Sequence, residues 1–358
     1  MKVYCHDNLE ALAGAHKAAF HEAESVSFDL SLSWFANLLA TTLTPREKLR
    51  LCVAEDDNGQ VAILPLYYEE GALGPRKLQS LVNFYTSLYA PITSAGATND
   101  LLIRTLPSPS ENGRTWDEID FSPLSIDNSA FESVFKALRS QGWLPFKYFC
   151  FGNWYLPVGG RSYADYYEGL PSRLKNTVKR KSKQFFATGG ARLEILTGGD
   201  QIESGIADYN KVYATSWKVE EPFPQFIPGL IRVSAERGWL RLGIAYLHNE
   251  PVAAQLWIVA HGRAAIFKLA YDEKFASYSA GSILSAHMMR HALDVDKVCE
   301  VDYLRGDDAY KRDWMSHRRE RWGIVAYNPR TLAGLTGALK QALGEWRRTL
   351  SPYVKPLA

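Results

Sequence analysis

Cysteine is sparse in this chain, and Cys5, Cys52, Cys150 and Cys299 are widely scattered with no CxxC pair. Such spacing offers neither a zinc site nor a disulfide framework, and reduced thiols are the expectation. No apolar run approaches the length needed to cross a bilayer. The opening MKVYCHDNLEALAGAHKAAF places Asp, Glu and His where a secretory signal needs an apolar stretch, so a cytoplasmic protein is expected. Neither sign of charge dominates: 41 Lys and Arg face 39 Asp and Glu, a net of +2. Bulk charge therefore predicts no DNA or membrane partner. GxSxG, GxGxxG and P-loop patterns are missing, which leaves hydrolase, dehydrogenase and NTPase chemistry without a foothold. His287 and His291 have metal-ligand spacing, but HMMRH lacks the Glu of HExxH and reads as a structural pair. Neither a metal nor a tightly bound cofactor is expected.

What is present suits a folded protein of two domains. The 358 residues are 46% hydrophobic and 13% aromatic, ample for real cores, and 22% charged. In the first half, a helix is expected over 9–20 and strand-like runs over 49–54 and 61–68, joined by DDNG at 56–59, a strong hairpin signal. Strands follow over 78–90, 117–121 and 148–156, with a helix over 128–141. The second half repeats that order. It has a helix over 171–187, a strand over 191–196, a helix over 202–217 and a hairpin of 240–246 with 252–259. Strand 265–271, helix 281–293, strand 299–304, a helical turn at 307–314 and strand 322–327 complete it. An amphipathic helix over 332–350 ends the chain.

The segment 264–293 carries the most chemistry. A strand meets a break at Asp272 and Glu273, then the small-residue loop Ser277, Tyr278, Ser279, Ala280, Gly281, Ser282, and then a helix at once. A helix opening in this way presents unshielded amides and the positive end of its dipole, a cradle for phosphate. Small residues let a ligand come close to the backbone. The same layout also serves as an ordinary α/β connection. Strand, small-residue loop and helix resemble the acyl-coenzyme A site of GNAT acyltransferases. The resemblance implies donor contacts from Ala270, Tyr271, Ser279, Ala280, Gly281 and Ser282. The loop departs from the family pattern: Tyr278 stands where Arg or Gln is usual if Gly281 is the first Gly, and Ile283 falls at the second small position.

A second constellation is VDYLRGDDAYKRDW at 301–314. Asp302 ends a strand, where a carboxylate can orient or deprotonate a nucleophile. Arg305 and Lys311 supply fixed positive charge, and Tyr310 can give a proton to a departing thiolate. The same residues also fit a structural Asp302–Arg305 pair with Tyr310 and Trp314 in a core. The run Asp-Tyr-Leu-Arg-Gly, then Tyr-Lys, then Trp resembles the C-terminal module of bacterial GNAT-fold acetyltransferases of the cellulose-biosynthesis type. It is also similar to the Phe-Lys motif region of Fem-type aminoacyltransferases, which are tandem GNAT modules, although no coiled-coil arm for tRNA is evident. The resemblance covers about 163–327 and, more weakly, the first half.

Three further features bear on a substrate. Arg173, Lys175, Lys179, Arg180, Lys181 and Lys183 spread positive charge around one helix, which reads either as a solvated face or as an attractor for a phosphate-bearing ligand. Trp217, Lys218, Glu220 and Glu221 precede the rigid turn PFP at 222–224 and could wall an acceptor cleft. Gln255 and Lys268 interrupt apolar strands and face either solvent or a site.

Taken together, an α/β (α+β) protein is expected, with two GNAT-like modules in tandem, each a mixed, mostly antiparallel sheet flanked by helices. The expected divisions are 1–159, 160–330 as the donor-binding module, and 331–358 as a terminal helix. The expected function, as the resemblance implies, is transfer of an acyl group from acyl-coenzyme A, as co-substrate, to an amine or hydroxyl of a cell-envelope or polysaccharide-related acceptor, a small molecule or glycan precursor. Asp302, Arg305, Tyr310 and Lys311 are the catalytic candidates, and Trp217, Gln255, Lys268 and Arg180 the substrate-binding ones. The alternatives are a Fem-like transferase using aminoacyl-tRNA and a non-catalytic binding module.

Overall fold

The computed structural model describes residues 1–71, 74–111 and 113–350. The chain forms two compact units: Met1–Ala36, Leu43–Cys150 and Glu320–Ala358 make the first, and Asn37–Thr42 with Phe151–Arg319 the second.

In the first unit, Lys2–His6, Glu47–Glu55 and Val61–Glu69 pair antiparallel in turn. The DDNG turn closes the hairpin: the Asp56 carboxylate accepts from the amides of Asn58 and Gln60, both at 2.9 Å, and Gly59 takes φ 76°. Lys77–Ser80 pairs antiparallel with Val61–Glu69 and parallel with Glu118–Ser125. Glu118–Ser125 in turn pairs antiparallel with the residues from Arg321 to Tyr327. That last pairing returns the strand over 320–327 to the first unit, whereas the sequence placed 320–330 with the second half. The first division falls after Cys150 rather than at 159, because Tyr155, Leu156 and Pro157 already pair with Glu300–Asp302.

The second unit is built on the strands Arg192–Leu196, Leu240–Leu247, Glu250–Ala260, Arg263–Tyr271 and Glu300–Asp302, neighbours in that order. All pair antiparallel except the last two, which run parallel. His248 and Asn249, at φ 52° and 63°, form the two-residue turn of the central hairpin, the left-handed pair such a loop demands. Helices Ser172–Phe186, Ile202–Ala214, Phe226–Glu236 and Ala280–Arg290 flank the strands. Ala280–Arg290 buries Ile283, Leu284, Met288 and Met289, at helical spacing, in a core with Phe185, Trp257 and Val301. Gly243 lets this helix lie close to the sheet, since a Cβ there would stand 2.5 Å from the Met288 sulfur. Among the described residues no helix is long and apolar enough to cross a membrane.

Candidate active site

The site lies wholly within the second unit and begins with a gap between two strands. Arg263 pairs with Glu300, Ala264 with Val301 and Ala265 with Asp302, and the parallel pairing stops there. Just beyond, Lys268 faces Leu256 while Ile266 faces Trp257, so Phe267 is the extra residue of a bulge. A bulge bends its strand and increases the local twist. The strand's end at Tyr271 therefore continues without that parallel partner, and the opening lies at the carboxyl ends of parallel strands, where α/β sheets receive ligands.

The loop after Tyr271 shapes the rim. Asp272 caps a short 3-10 helix, Glu273–Tyr278, by accepting from the Lys274 amide at 2.9 Å. Ser279 then turns left-handed, φ 56° and ψ 37°, and redirects the chain into Ala280–Arg290. The amides of Ser282 and Ile283 bond back to the Ser279 carbonyl at 3.0 and 3.2 Å. Those of Ala280 and Gly281 find no acceptor among the described residues. Two open amides at the positive end of an eleven-residue helix can accept an anion. Gly281 sits against Tyr271, whose ring would be 3.4 Å from a Cβ at 281. From inside, Gln255 donates to the Gly281 carbonyl at 3.0 Å and to the Ser285 hydroxyl at 2.7 Å, and accepts from the Trp257 indole at 2.9 Å. At 1% exposure and with every group engaged, Gln255 positions the helix and meets no solute.

The basic helix Ser172–Phe186 borders the same loop. Lys181 donates to the Ser277 carbonyl, and Arg173 pairs with Asp313 at 3.5 Å. Arg180 lies on the helical face that includes both and is exposed. Only Val178 and Phe185 of this helix are buried, so most of its charge is solvated.

Opposite lies the segment after Ile202–Ala214. Trp217, 47% exposed, packs on Tyr271 with ring centres 4.4 Å apart. Lys268 and Glu221 form a largely buried ion pair at 2.8 Å. Burial pulls the Lys268 ammonium below its ordinary range while Glu221 opposes the shift. Lys218 is lowered too, first by burial, then by the like charge of Lys268, with Lys311 adding to the effect and Glu221 and Asp308 opposing it. Lys218, Glu221 and Tyr213 line a cleft of about 620 Å³ between Ile202–Ala214 and Phe226–Glu236. Glu220 lines the same cleft, and the Lys218 ammonium makes no hydrogen bond to a described residue.

The Asp302 to Lys311 group divides in two. The Asp302 carboxylate accepts from the Leu304 amide at 2.6 Å, from Asn153 and from Arg319. Arg319 also binds Glu300 at 2.9 Å and Asn153 at 2.7 Å and lies 4.3 Å over the Tyr155 ring. Burial works against the Arg319 charge, but Asp302 and Glu300 hold its pKa above the ordinary value. Lys311 is buried as well: its ammonium donates to the carbonyls of Arg305 at 2.6 Å and Gly306 at 3.3 Å and pairs with Asp308 at 3.2 Å. It clamps a loop in which Leu304 and Gly306 take φ 53° and 103°. Tyr310 is different. It is 43% exposed, stands edge-on to Tyr303 at 5.8 Å, and has its phenol pKa raised by burial and by Asp308. Arg305 is exposed, 5.0 Å over Phe151.

The fold thus brings together Trp217, Lys218, Glu221, Lys268, Tyr271 and the Asp308 to Lys311 turn. Ala270 is buried and paired with Ala254, Ser279 and Ser282 flank the open amides, and Asp302 and Gln255 lie in the interior. Asn153 and Arg319, which hold Asp302, had no sequence signal: one sits in an aromatic strand and the other in a charged run, HRRER, that reads as solvated surface. No group of three or more His, Cys, Asp or Glu among the described residues could hold a metal ion.

The second unit is thus a mixed, mostly antiparallel sheet flanked by helices and split beside a small-residue helix start. Residues 172–312 match the family model described as "Acetyltransferase (GNAT) domain". Among solved structures, the chain is similar to FemX, with a TM-score of 0.61 at 12% identity over 92% of this chain and 97% of that one. It is also similar to a conserved protein of unknown function from Bacteroides thetaiotaomicron, with a TM-score of 0.57 at 10% identity over 91% and 100%. A third likeness is to the C-terminal domain of a putative lysylphosphatidylglycerol synthetase from Agrobacterium fabrum, with a TM-score of 0.53 at 12% identity over 92% and 97%. At these identities the likeness is one of fold. A search of curated protein sequences found no match.

Proposed function

We propose that the protein is an acyltransferase that moves an acyl group from acyl-coenzyme A to an amine or hydroxyl of a cell-envelope or polysaccharide-related acceptor. The observation that carries the reading is the pair of open amides at Ala280 and Gly281 beside the end of the parallel pairing. The donor pyrophosphate would rest on those amides, within reach of the charge on Arg180 and its helix. Its pantetheine arm would enter the opening, with backbone amides near Ala270 polarising the thioester carbonyl. The acceptor would occupy the cleft lined by Lys218 and Glu221, with Trp217 adjoining Lys218 in the chain. An ammonium without a hydrogen bond to a described residue there suits an acceptor carrying a carboxylate or phosphate, as envelope and polysaccharide precursors do.

In the transfer step the acceptor's lone pair forms a bond to the thioester carbon, the carbon–sulfur bond breaks, and the acceptor proton leaves to water. The thiolate takes a proton from Tyr310, whose raised pKa keeps it protonated, and the phenol is restored from solvent. Asp302 and Lys311 serve as positioning residues, setting the strand end and the turn that carry Arg305 and Tyr310.

Calorimetry with coenzyme A tests this reading. The wild type should bind, and Gly281→Glu, which brings a side chain and a negative charge to the cradle, should abolish binding with a native melting profile. Unchanged affinity in that variant removes the central support. Binding of charged tRNA without coenzyme A would point to a Fem-like donor, and binding without thioester turnover to a non-catalytic module.

A further inference from the structure

The terminal helix Leu332–Leu350, in the first unit, is turned the wrong way round for an ordinary surface helix. It packs through small residues: Ala338 is buried, a Cβ on Gly334 would stand 2.2 Å from the Asn328 carbonyl, and one on Gly337 would stand 2.5 Å from the Tyr327 ring. Its large apolar residues face outward instead. Leu332, Leu335, Leu339, Leu343 and Trp346 are 82%, 42%, 55%, 54% and 60% exposed. At helical spacing these five fall within an arc of about 80°. The exposed cations Lys340 and Arg347 lie along one edge of that arc, and the helix's one carboxylate, Glu345, lies on the packing side.

An apolar stripe edged by cations has the composition of a helix that lies in a membrane interface. Apposed stripes of two copies fit less well. Each offers on the order of 500 Å², so a pair would bury about 1,000 Å² in total, short of the roughly 1,200–2,000 Å² of a stable interface.

We infer that this helix lies in the surface of an anionic lipid bilayer. Its leucine stripe and Trp346 enter the boundary between headgroups and acyl chains, while Lys340 and Arg347 meet lipid phosphates. An acceptor built on or near a membrane would then be met at the surface where it resides, although the inference does not depend on the catalytic reading.

The test is co-sedimentation of the full chain with vesicles of phosphatidylcholine alone or with a third phosphatidylglycerol. The wild type should partition onto the anionic vesicles and much less onto the neutral ones. Leu339→Gln with Leu343→Gln should lower partitioning at least about tenfold, since each leucine contributes its own transfer free energy. Both leucines are exposed, so an unchanged melting profile is expected. Should that variant unfold, Lys340→Glu with Arg347→Glu carries the test and should abolish the preference for anionic lipid. No binding to either vesicle, equal binding to both, binding indifferent to the substitutions, or a dimer in light scattering that the leucine variant dissociates would each overturn the inference.

Discussion

Replacing Asp302 with Asn separates a reacting carboxylate from a positioning one. The carboxylate accepts from Asn153, from the Leu304 amide and from Arg319, and its side chain is largely buried. An amide of the same shape must turn its NH2 toward one of those donors and no longer balances the Arg319 charge. Removing one partner of a buried pair costs about 3–5 kcal/mol. Glu300 still holds Arg319 at 2.9 Å, so the lower end applies. For a unit of this size 1 kcal/mol moves the melting temperature by about 2–4 °C, so about 3 kcal/mol should lower it by roughly 6–12 °C. Arg319→Met should give a comparable loss, and the double variant less than the sum, because both changes remove one interaction. A general base would behave otherwise, with turnover falling about a hundredfold at an unchanged melting temperature. Scanning calorimetry on the variants, with a turnover assay alongside, decides between them. A melting temperature for Asp302→Asn within about 2 °C of wild type, with turnover lost, would refute the positioning role.

Three further outcomes follow from the same geometry. Lys218→Met should raise the KM for an anionic acceptor about tenfold or more while leaving coenzyme A affinity alone, and an unchanged KM would remove the lysine from acceptor recognition. Tyr310→Phe should slow turnover about tenfold with donor binding intact, and full turnover would assign the leaving-group proton to solvent. Stability should fall between pH 10.5 and 11.5. Tyr67, Tyr163 and Tyr327, each with its pKa raised to about 12 chiefly by burial, keep their protons in the fold while the unfolded chain releases them near 10. Lys218, Lys268 and Lys311, lowered in the fold, add stability only as pH rises toward 10.5 and little beyond it. A denaturation midpoint that holds or rises over that window would contradict the sign.

Where periodicity and turn chemistry acted locally, the sequence was legible. The DDNG hairpin, the hairpin around His248 and Asn249, and the strand–loop–helix about Gly281 stand close to where residue pattern put them. Phe226–Glu236 escaped notice because Pro228 and Gly229 break the helical signal, although both sit in its first turn or just after it. Lys2–His6 is too short to read, and only its pairing with Glu47–Glu55 makes it a strand. The candidate site was readable as residue types but not as contacts. Lys218, Lys268 and Lys311 lie far apart in sequence, and their mutual repulsion exists only once the strands are in register. Asp302 looked like a reactive carboxylate because its partners, Asn153 and Arg319, are 149 and 17 residues away.

Gln255 gives this site an unusual dependence on the protein's interior. Its carboxamide donates to the Gly281 carbonyl, which belongs to the first turn of the helix whose amides face outward. That carbonyl shares its peptide with the Ser282 N–H, which is spent on the Ser279 carbonyl, so Gln255 acts on the rim by fixing where the first turn stands. The grip of the rim on an anion is therefore set partly by a side chain no solute can touch. A mutation in the core can detune the rim while every exposed residue stays the same, and a search for specificity confined to the surface would miss it.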